Sequence, residues 1–290
     1  MSLSKLARPK INLFLHITGK RADGYHLLES LVCFPEGGDK IRVQSEDQII
    51  VSVSGPFANM LGPSQDNLVV LAAKLLQEQQ NINMGAHIYL EKNLPVASGI
   101  GGGSSNAAIC LQLLCELWKV TPSNEELKSI GEQIGADVPV CLYGRSALMK
   151  GIGEIIEPVS SLPDLYILLV NPLISVSTPS VFKTLNWDNK RNMFLPFGFS
   201  TDVDEFLGEL ENCTNDLQTP AISLVPEISS VLSAIDAQEG CRLSRMSGSG
   251  ATCFGLFKTR ELAERARVAI LESHPDWWGV ASRMNTGAAE

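Results

Sequence analysis

An α+β protein of roughly two domains is what the chain predicts, on three observations. Segments with strand-like alternation are interleaved with amphipathic helical segments in both halves. A length of 290 residues fits about two domains of ordinary size. Hydrophobic residues at 44% against charged residues at 19% supply ample material for buried cores and exclude a disordered chain.

In the first half, residues 9–18 alternate apolar and polar and read as a strand, and Gly24 marks a turn in the loop after it. Strands are expected again at 39–45, 49–55 and 86–92. Residues 66–80 read as a helix capped by Asp66 or Asn67. The glycines of 99–103 lead into an apolar-faced helix over 104–120, and another helix runs from Ser123 to about Ile134. In the second half, 165–172 is a short buried strand, helical patterns cover 202–212, 226–237 and 260–273, and 251–257 and 277–284 read as strands. The mixed polar stretch 188–200 reads as a mobile loop. Pro158, Ser160, Ser161 and Pro163 interrupt the pattern near 155–163, which divides the chain into domains 1–158 and 159–290.

Net charge is −9 and no lysine- or arginine-rich run is present, which argues against a nucleic-acid partner. A small anion is still allowed, because a few local backbone donors override the global field. The seven cysteines (33, 110, 115, 141, 213, 241 and 253) show no paired spacing, as expected of core thiols in a reducing compartment. His16, His26, His87 and His274 are dispersed, which disfavours a zinc site. Lys5, Arg8 and Lys10 precede the apolar run 11–15, but the run is short, contains Asn12 and lacks a small-residue cleavage site after it. No stretch approaches the roughly 20 apolar residues of a membrane span. A cytoplasmic protein without a membrane partner is expected.

Residues 95–108 carry the clearest chemistry. Gly99, Gly101, Gly102 and Gly103 let backbone N–H groups converge on an anion, since no Cβ blocks the approach. Ser104 and Ser105 then open a helix whose N-terminus favours phosphate. The run fits neither G-x-x-x-x-G-K-[ST] nor G-x-G-x-x-G, so a Walker P-loop and a dinucleotide fold are both disfavoured. Asp137, in a Gly-Ala-Asp-Val-Pro turn after a helix, reads equally as a turn residue and as a general base. Lys10 at a strand start reads as a surface lysine, and Asn12, two residues on, shares its side of that strand. Tyr25 and His26 follow Gly24 in a polar loop and fit a core edge or a stacking surface. The run 247–250 fits an ordinary hairpin loop, and Asn67 fits a helix cap.

Three blocks in order give a resemblance to the GHMP kinases, the family of galactokinase and of homoserine, mevalonate and phosphomevalonate kinases. They are Arg8-Pro9-Lys10-Ile11-Asn12-Leu13, the glycine segment 95–108, and Met246-Ser247-Gly248-Ser249-Gly250-Ala251-Thr252. Lys10-Ile11-Asn12-Leu13, Arg21-Ala22-Asp23-Gly24-Tyr25-His26, Gly135-Ala136-Asp137-Val138-Pro139 and 101–108 resemble the branch whose acceptor is a cytidine-diphosphate-linked methylerythritol, an intermediate of isoprenoid synthesis outside the mevalonate route. One departure is visible: Val96-Ala97-Ser98 stands where the family is richer in glycine.

The resemblance implies a two-domain GHMP kinase fold, with an N-terminal domain like ribosomal protein S5 domain 2 and a ferredoxin-like C-terminal domain. It implies ATP-dependent phosphorylation of an alcohol, with Asp137 as catalytic carboxylate and Lys10 holding it ionised and orienting the hydroxyl. ATP contacts are implied for Pro95, Val96, Ala97, Ser98, Gly99, Ile100, Gly101, Gly102, Gly103, Ser104 and Ser105, with Asn67 near the adenine. Gly248, Ser249 and Gly250 would frame the phosphates. Mg²⁺ would be held mainly through ATP phosphate oxygens, with Ser105 a candidate ligand. The acceptor is assigned to Asn12, to Tyr25 stacking on the base with His26 at its edge, and to Thr178 and Phe182 of the block Ser177-Thr178-Pro179-Ser180-Val181-Phe182-Lys183. Two alternatives stand: a kinase for another small alcohol, and a non-catalytic ligand sensor, which could dispense with Lys10 and Asp137.

Overall fold

Residues 39–46 bury Asp39, Ile41 and Val43 and turn Lys40 and Gln44 outward, the period-two pattern of a strand covered on one face. This strand, β5 (Asp39–Glu46), lies in a four-stranded sheet ordered β1 (Ser2–Ala7), β5, β7 (Gly85–Glu91) and β6 (Ile49–Ser54). Only the β6–β7 pair is parallel, as the helix between them requires. The computed structural model describes residues 2–62, 67–186 and 198–284.

The sheet belongs to the first of two compact units, formed by the described residues of Met1–Lys10, Gly37–Val96 and Gly101–Gly144. Its helix α1 (Leu68–Gln80) starts at Asn67, whose side chain accepts the Val69 N–H at 3.1 Å. Asp66, the other expected cap, lies outside the described residues. Val69, Ala72, Ala73 and Leu76 give α1 its buried stripe. α2 (Gly102–Trp118) packs against α1 and against β1 and β5. α3 (Asn124–Ile134) opens on a capping box, in which Ser123 and Glu126 satisfy each other's backbone N–H groups. α4 (Val138–Tyr143), hidden in what reads as a plain Gly-Ala-Asp-Val-Pro turn, follows three residues later with Pro139 in its first turn.

The second unit comprises Ile11–Glu36, Ala97–Ile100 and the described residues of Arg145–Glu290. Here the expected strand 9–18 is corrected. It is two short pieces, β2 (Ile11–Asn12) and β3 (His16–Lys20), because Leu13, Phe14 and Leu15 are buried in succession and no alternation runs through them. Both pair with β4 (His26–Cys33), which continues through β8 (Ala147–Gly151) to β9 (Ile155–Pro158). Gly24, at φ 92°, turns the β3–β4 hairpin.

The remaining sheet, all antiparallel, is ordered β11 (Leu243–Met246), β12 (Cys253–Phe257), β10 (Tyr166–Asn171) and β13 (Trp278–Arg283). Between β10 and β11 run α5 (Thr178–Thr184), α6 (Val203–Glu211), α7 (Gln218–Leu224) and α8 (Glu227–Asp236), and α9 (Arg260–Ser273) links β12 to β13. This β-α-β-β-α-β order is the expected ferredoxin-like arrangement. Its core joins Leu168, Val170, Ile228, Phe257 and Ile270 with Leu15 and Ile17. Of the expected mobile loop at 188–200, residues 188–197 lie outside the described residues.

Candidate active site

In the first unit, Lys10 Nζ lies 3.0 Å from Asp137 Oδ2. The lysine side chain is 5% exposed and the aspartate 37%. A buried ammonium needs an anionic partner, and the start of α4 supplies it, since Asp137 is the residue immediately before that helix. Lys10 falls outside β2, so the expectation that it shares a strand face with Asn12 does not apply.

Gly101 covers Lys10. It has φ 62°, and a Cβ there would stand 3.1 Å from Lys10 Cβ and 3.2 Å from Cε. Gly101 is also the N-cap of α2, which opens at Gly102 rather than at Ser104, a correction of two residues. Two successive glycines are poor helix formers, but here their backbones enter helical geometry at the first turn, where burial of the helix's apolar face carries them. The first intrahelical bond runs from Ser105 N to Gly101 O at 2.8 Å. The N–H groups of Gly102, Gly103 and Ser104 therefore have no partner within the helix, and their lack of bulk suits a phosphate. Ser105 Oγ donates to Cys141 Sγ at 3.3 Å, and burial, followed by the Asp137 charge, pushes that thiol up to about 12.

Beneath α2 sits a buried network without a sequence signature. Lys92 Nζ donates to Asp39 Oδ2 at 2.6 Å and to the Leu94 carbonyl at 2.7 Å. Asp39 also accepts Asn93 N, Leu94 N and Asn106 Nδ2 at 2.7, 2.8 and 2.9 Å. Burial lowers the Lys92 pKa and the Asp39 charge opposes this. A Cβ on Gly102 would be 3.5 Å from Lys92 Nζ, so the network abuts the first turn of α2.

In the second unit, residues 97–100 meet the loop 247–250 backbone to backbone. A Cβ on Gly99 would lie 2.6 Å from Ser247 O, and one on Gly248 would lie 2.7 Å from Gly99 O, so each position demands glycine. Thr252 N donates to Ser98 O at 3.1 Å. Ala97, at φ 51°, holds a left-handed conformation that costs a non-glycine residue about 1–2 kcal/mol. The departure from the glycine-rich pattern thus falls where glycine has a conformational use. Pro95 and Ile100 are buried, and Val96 is half-buried.

Two buried side chains brace the second loop. Asn215 Nδ2 donates to the Met246 and Gly248 carbonyls, both at 2.8 Å. Arg245 donates to the carbonyls of Leu13, Leu210 and Cys213 at 2.7–2.8 Å. Burial draws its guanidinium down to about 10, and the electrostatic interaction with Cys213 offsets this in part.

Asn12 Nδ2 donates to Ser30 Oγ at 2.7 Å, and its backbone N donates to Ser247 Oγ at 3.1 Å. Thr178 and Ser249 share a hydroxyl–hydroxyl bond of 2.7 Å. The His26 ring stacks on Phe182 with centroids 5.3 Å apart. Burial and then Lys20 hold its imidazole below the ordinary value. Tyr25 beside it is 62% exposed. The sequence singled out Asn12, Tyr25, His26, Thr178, Phe182 and Ser249 but missed Asp39, Lys92, Asn106, Asn215, Arg245 and the hydroxyl of Ser247. Each has a partner distant in sequence, for which no local spacing exists.

A family model described as "GHMP kinases N terminal domain" matches residues 67–145, and one described as "GHMP kinases C terminal" matches 200–276. The 4-diphosphocytidyl-2-C-methyl-D-erythritol kinase of Parvibaculum lavamentivorans is 45% identical over 285 residues, 95% of this chain and 96% of that protein. The protein of the same name from Cereibacter sphaeroides is 48% identical over 281 residues, 96% of this chain and 98% of its own. The crystal structure of a 4-(cytidine 5'-diphospho)-2C-methyl-D-erythritol kinase superposes with TM-score 0.81 at 31% identity, covering 98% of this chain and 100% of that one. Both glycine loops and the Lys10–Asp137 pair fall in blocks that resemble this family, and the similarity extends over nearly every residue: the chain belongs to the GHMP kinases.

Proposed function

We propose that this chain transfers the γ-phosphoryl group of ATP to the 2-hydroxyl of 4-diphosphocytidyl-2-C-methyl-D-erythritol. The observation that carries the chemistry is the Lys10–Asp137 pair, an enclosed ammonium against a carboxylate that remains open on one side. Asp137 takes the proton of the acceptor hydroxyl as its oxygen bonds to the γ-phosphorus, and the bond from that phosphorus to the β–γ bridging oxygen breaks to leave ADP. Lys10 holds the carboxylate in place and opposes charge on the transferred group. The N–H groups of Gly102, Gly103 and Ser104 hold ATP phosphates, with Pro95 to Ile100 and Ser105 completing that stretch and Gly248, Ser249 and Gly250 framing it. Asn67, which caps α1, is assigned to the adenine. Mg²⁺, carried on the phosphates, supplies charge neutralisation; among the described residues no cluster of three or more His, Cys, Asp or Glu offers it a protein cage.

The acceptor's cytosine is assigned to Tyr25, His26 and Phe182, and its polar groups to Asn12 and Thr178. A ligand sensor on the same fold has no use for the buried lysine–carboxylate pair, which favours the enzyme. The division into domains 1–158 and 159–290 belongs to this reading, and the two family-model matches fall on either side of it. So does a cytoplasmic setting; among the described residues no helix is long and apolar enough to cross a membrane. The test is ATP consumption by purified protein with a panel of alcohols: the cytidine diphosphate compound, mevalonate and homoserine. Turnover is expected with the first alone. Turnover with mevalonate or homoserine instead would replace the substrate, and none with any of the three would favour the sensor.

A further inference from the structure

Ser247 is fully buried, and its hydroxyl makes two hydrogen bonds to backbone groups far away in the sequence. Its Oγ accepts the Asn12 N–H at 3.1 Å and donates to the Gly99 carbonyl, also at 3.1 Å. Its own backbone is committed elsewhere: N donates to Thr252 O at 2.9 Å and O accepts from Gly250 N at 3.0 Å. A hydroxyl has one proton, and here that proton goes to Gly99 while a lone pair serves Asn12. One side-chain atom therefore ties the start of the acceptor segment to the glycine loop.

Neither tied segment has slack. Asn12 pairs with Val32 across β2 and β4, and its amide is held by Ser30, which in turn donates to Phe14 O. Gly99 lies two residues before the N-cap of α2, with no room beside it for a Cβ. On the other side, Asn215 fixes the carbonyls that flank Ser247, at Met246 and Gly248. A displacement of the Gly99 carbonyl is therefore passed to the Asn12 N–H through Ser247 rather than absorbed by the loop.

We infer that Ser247 is a positioning residue through which occupancy of the glycine loop by ATP and occupancy of the Asn12 segment by the acceptor strengthen one another, an inference that rests on the substrates proposed above. Loss of the hydroxyl removes both of these bonds at once, so the two segments no longer report to each other through it. Coupling of this kind is reciprocal: each ligand must tighten the other by the same factor.

Calorimetric titration with a β,γ-imido analogue of ATP, with and without saturating 4-diphosphocytidyl-2-C-methyl-D-erythritol, reads that factor. The unmodified protein should show the acceptor tightening the analogue about tenfold, within the range usual for coupled sites. Ser247→Thr, which keeps the hydroxyl, should retain the factor, and Ser247→Ala should bring it to about one. A merely structural role for Ser247 would lower the melting temperature and leave the factor unchanged, and that result overturns the inference. A factor of one in the unmodified protein, with both ligands bound, overturns it as well. Failure of the unmodified protein to bind the acceptor at all overturns the substrate assignment, and the coupling with it. Should Ser247→Ala not fold by circular dichroism, Ser247→Cys fills the same space with a weaker donor. Its factor should fall below that of the unmodified protein, and an unchanged factor overturns the inference.

Discussion

Lys10 and Asp137 meet at 3.0 Å, but only the aspartate remains open, with a side chain 37% exposed against 5% for the lysine. The asymmetry suits a base whose partner stays fixed while its free side receives a hydroxyl. Asp137→Asn preserves shape and removes both charge and proton acceptor. Its kcat should fall at least ~10²-fold, the usual contribution of a general base, while ATP binding survives. Turnover within a few-fold of the unmodified protein would remove Asp137 from this role.

Adjacent glycines should behave differently. Gly101→Ala forces a side chain onto φ 62° and to within 3.1 Å of Lys10 Cβ. It should cost about 1–2 kcal/mol of stability from the backbone alone and displace the lysine, lowering kcat as well. Gly102→Ala meets only ordinary contacts, the nearest being Lys92 Nζ at 3.5 Å, inside a helix that favours alanine. Its melting temperature should hold or rise, and any loss should appear in the KM for ATP. Equal melting temperatures for the two variants would contradict this account.

What the sequence revealed and what it hid divide along physical lines. Helices with local caps, such as α1 at Asn67 and α3 at Ser123, were legible because a cap lies within three residues of its partner. The backbone geometry of the glycine loop was legible because close approach and left-handed conformation need missing side chains, and these appear directly in sequence. The start of α2 was missed by two residues, since glycine propensity argues against a helix that tertiary packing imposes. Leu13, Phe14 and Leu15 broke a strand because three consecutive residues are buried, which alternation cannot foresee. Asp39, Lys92 and Arg245 stayed hidden because their partners are brought to them only by the folded sheets.

The Asp39–Lys92 pair gives a stability prediction. Asp39→Asn keeps an acceptor for the N–H groups of Asn93 and Leu94 but turns an amide donor toward the Lys92 ammonium and the Asn106 amide. Donor then faces donor in a buried site. Removing one partner of such a pair typically costs about 3–5 kcal/mol, so thermal melting should show a clear loss. A melting temperature unchanged within error would mean that the pair is dispensable.

Acidity should act on the acceptor through His26. Burial, and then Lys20, lowers its pKa below the ordinary 6.5, so its imidazole is neutral at pH 7 and gains a proton only at lower pH than a free histidine. A neutral ring can donate from one nitrogen and accept at the other, as recognition of a base edge requires. The KM for the cytidine acceptor should therefore stay flat above pH 6.5 and rise below it. Lys20→Gln removes one cause of the lowered value, so the rise should begin at higher pH in that variant. A profile that Lys20→Gln leaves unmoved would detach His26 from acceptor binding.

Tyr25 offers the sharpest separation of recognition from architecture. Its side chain is 62% exposed, next to the His26–Phe182 stack, so little of the fold's stability depends on it. Removal of an aromatic stacking partner typically costs about 1–3 kcal/mol per base, or tenfold to a hundredfold in binding. Tyr25→Ala should raise the KM for the cytidine acceptor by that amount and leave the melting temperature within a degree or two, about what a surface substitution allows. The KM for ATP should barely move, because its phosphates are assigned to the first turn of α2 and the glycine loop before it. If stacking energy is realised equally in the bound substrate and in the transition state, kcat should change little. A core-edge role predicts the reverse, a lower melting temperature with similar losses for both substrates. Equal weakening of ATP and acceptor would thus reject recognition of the base by Tyr25, and with it the ground for preferring a cytidine-linked alcohol over mevalonate or homoserine.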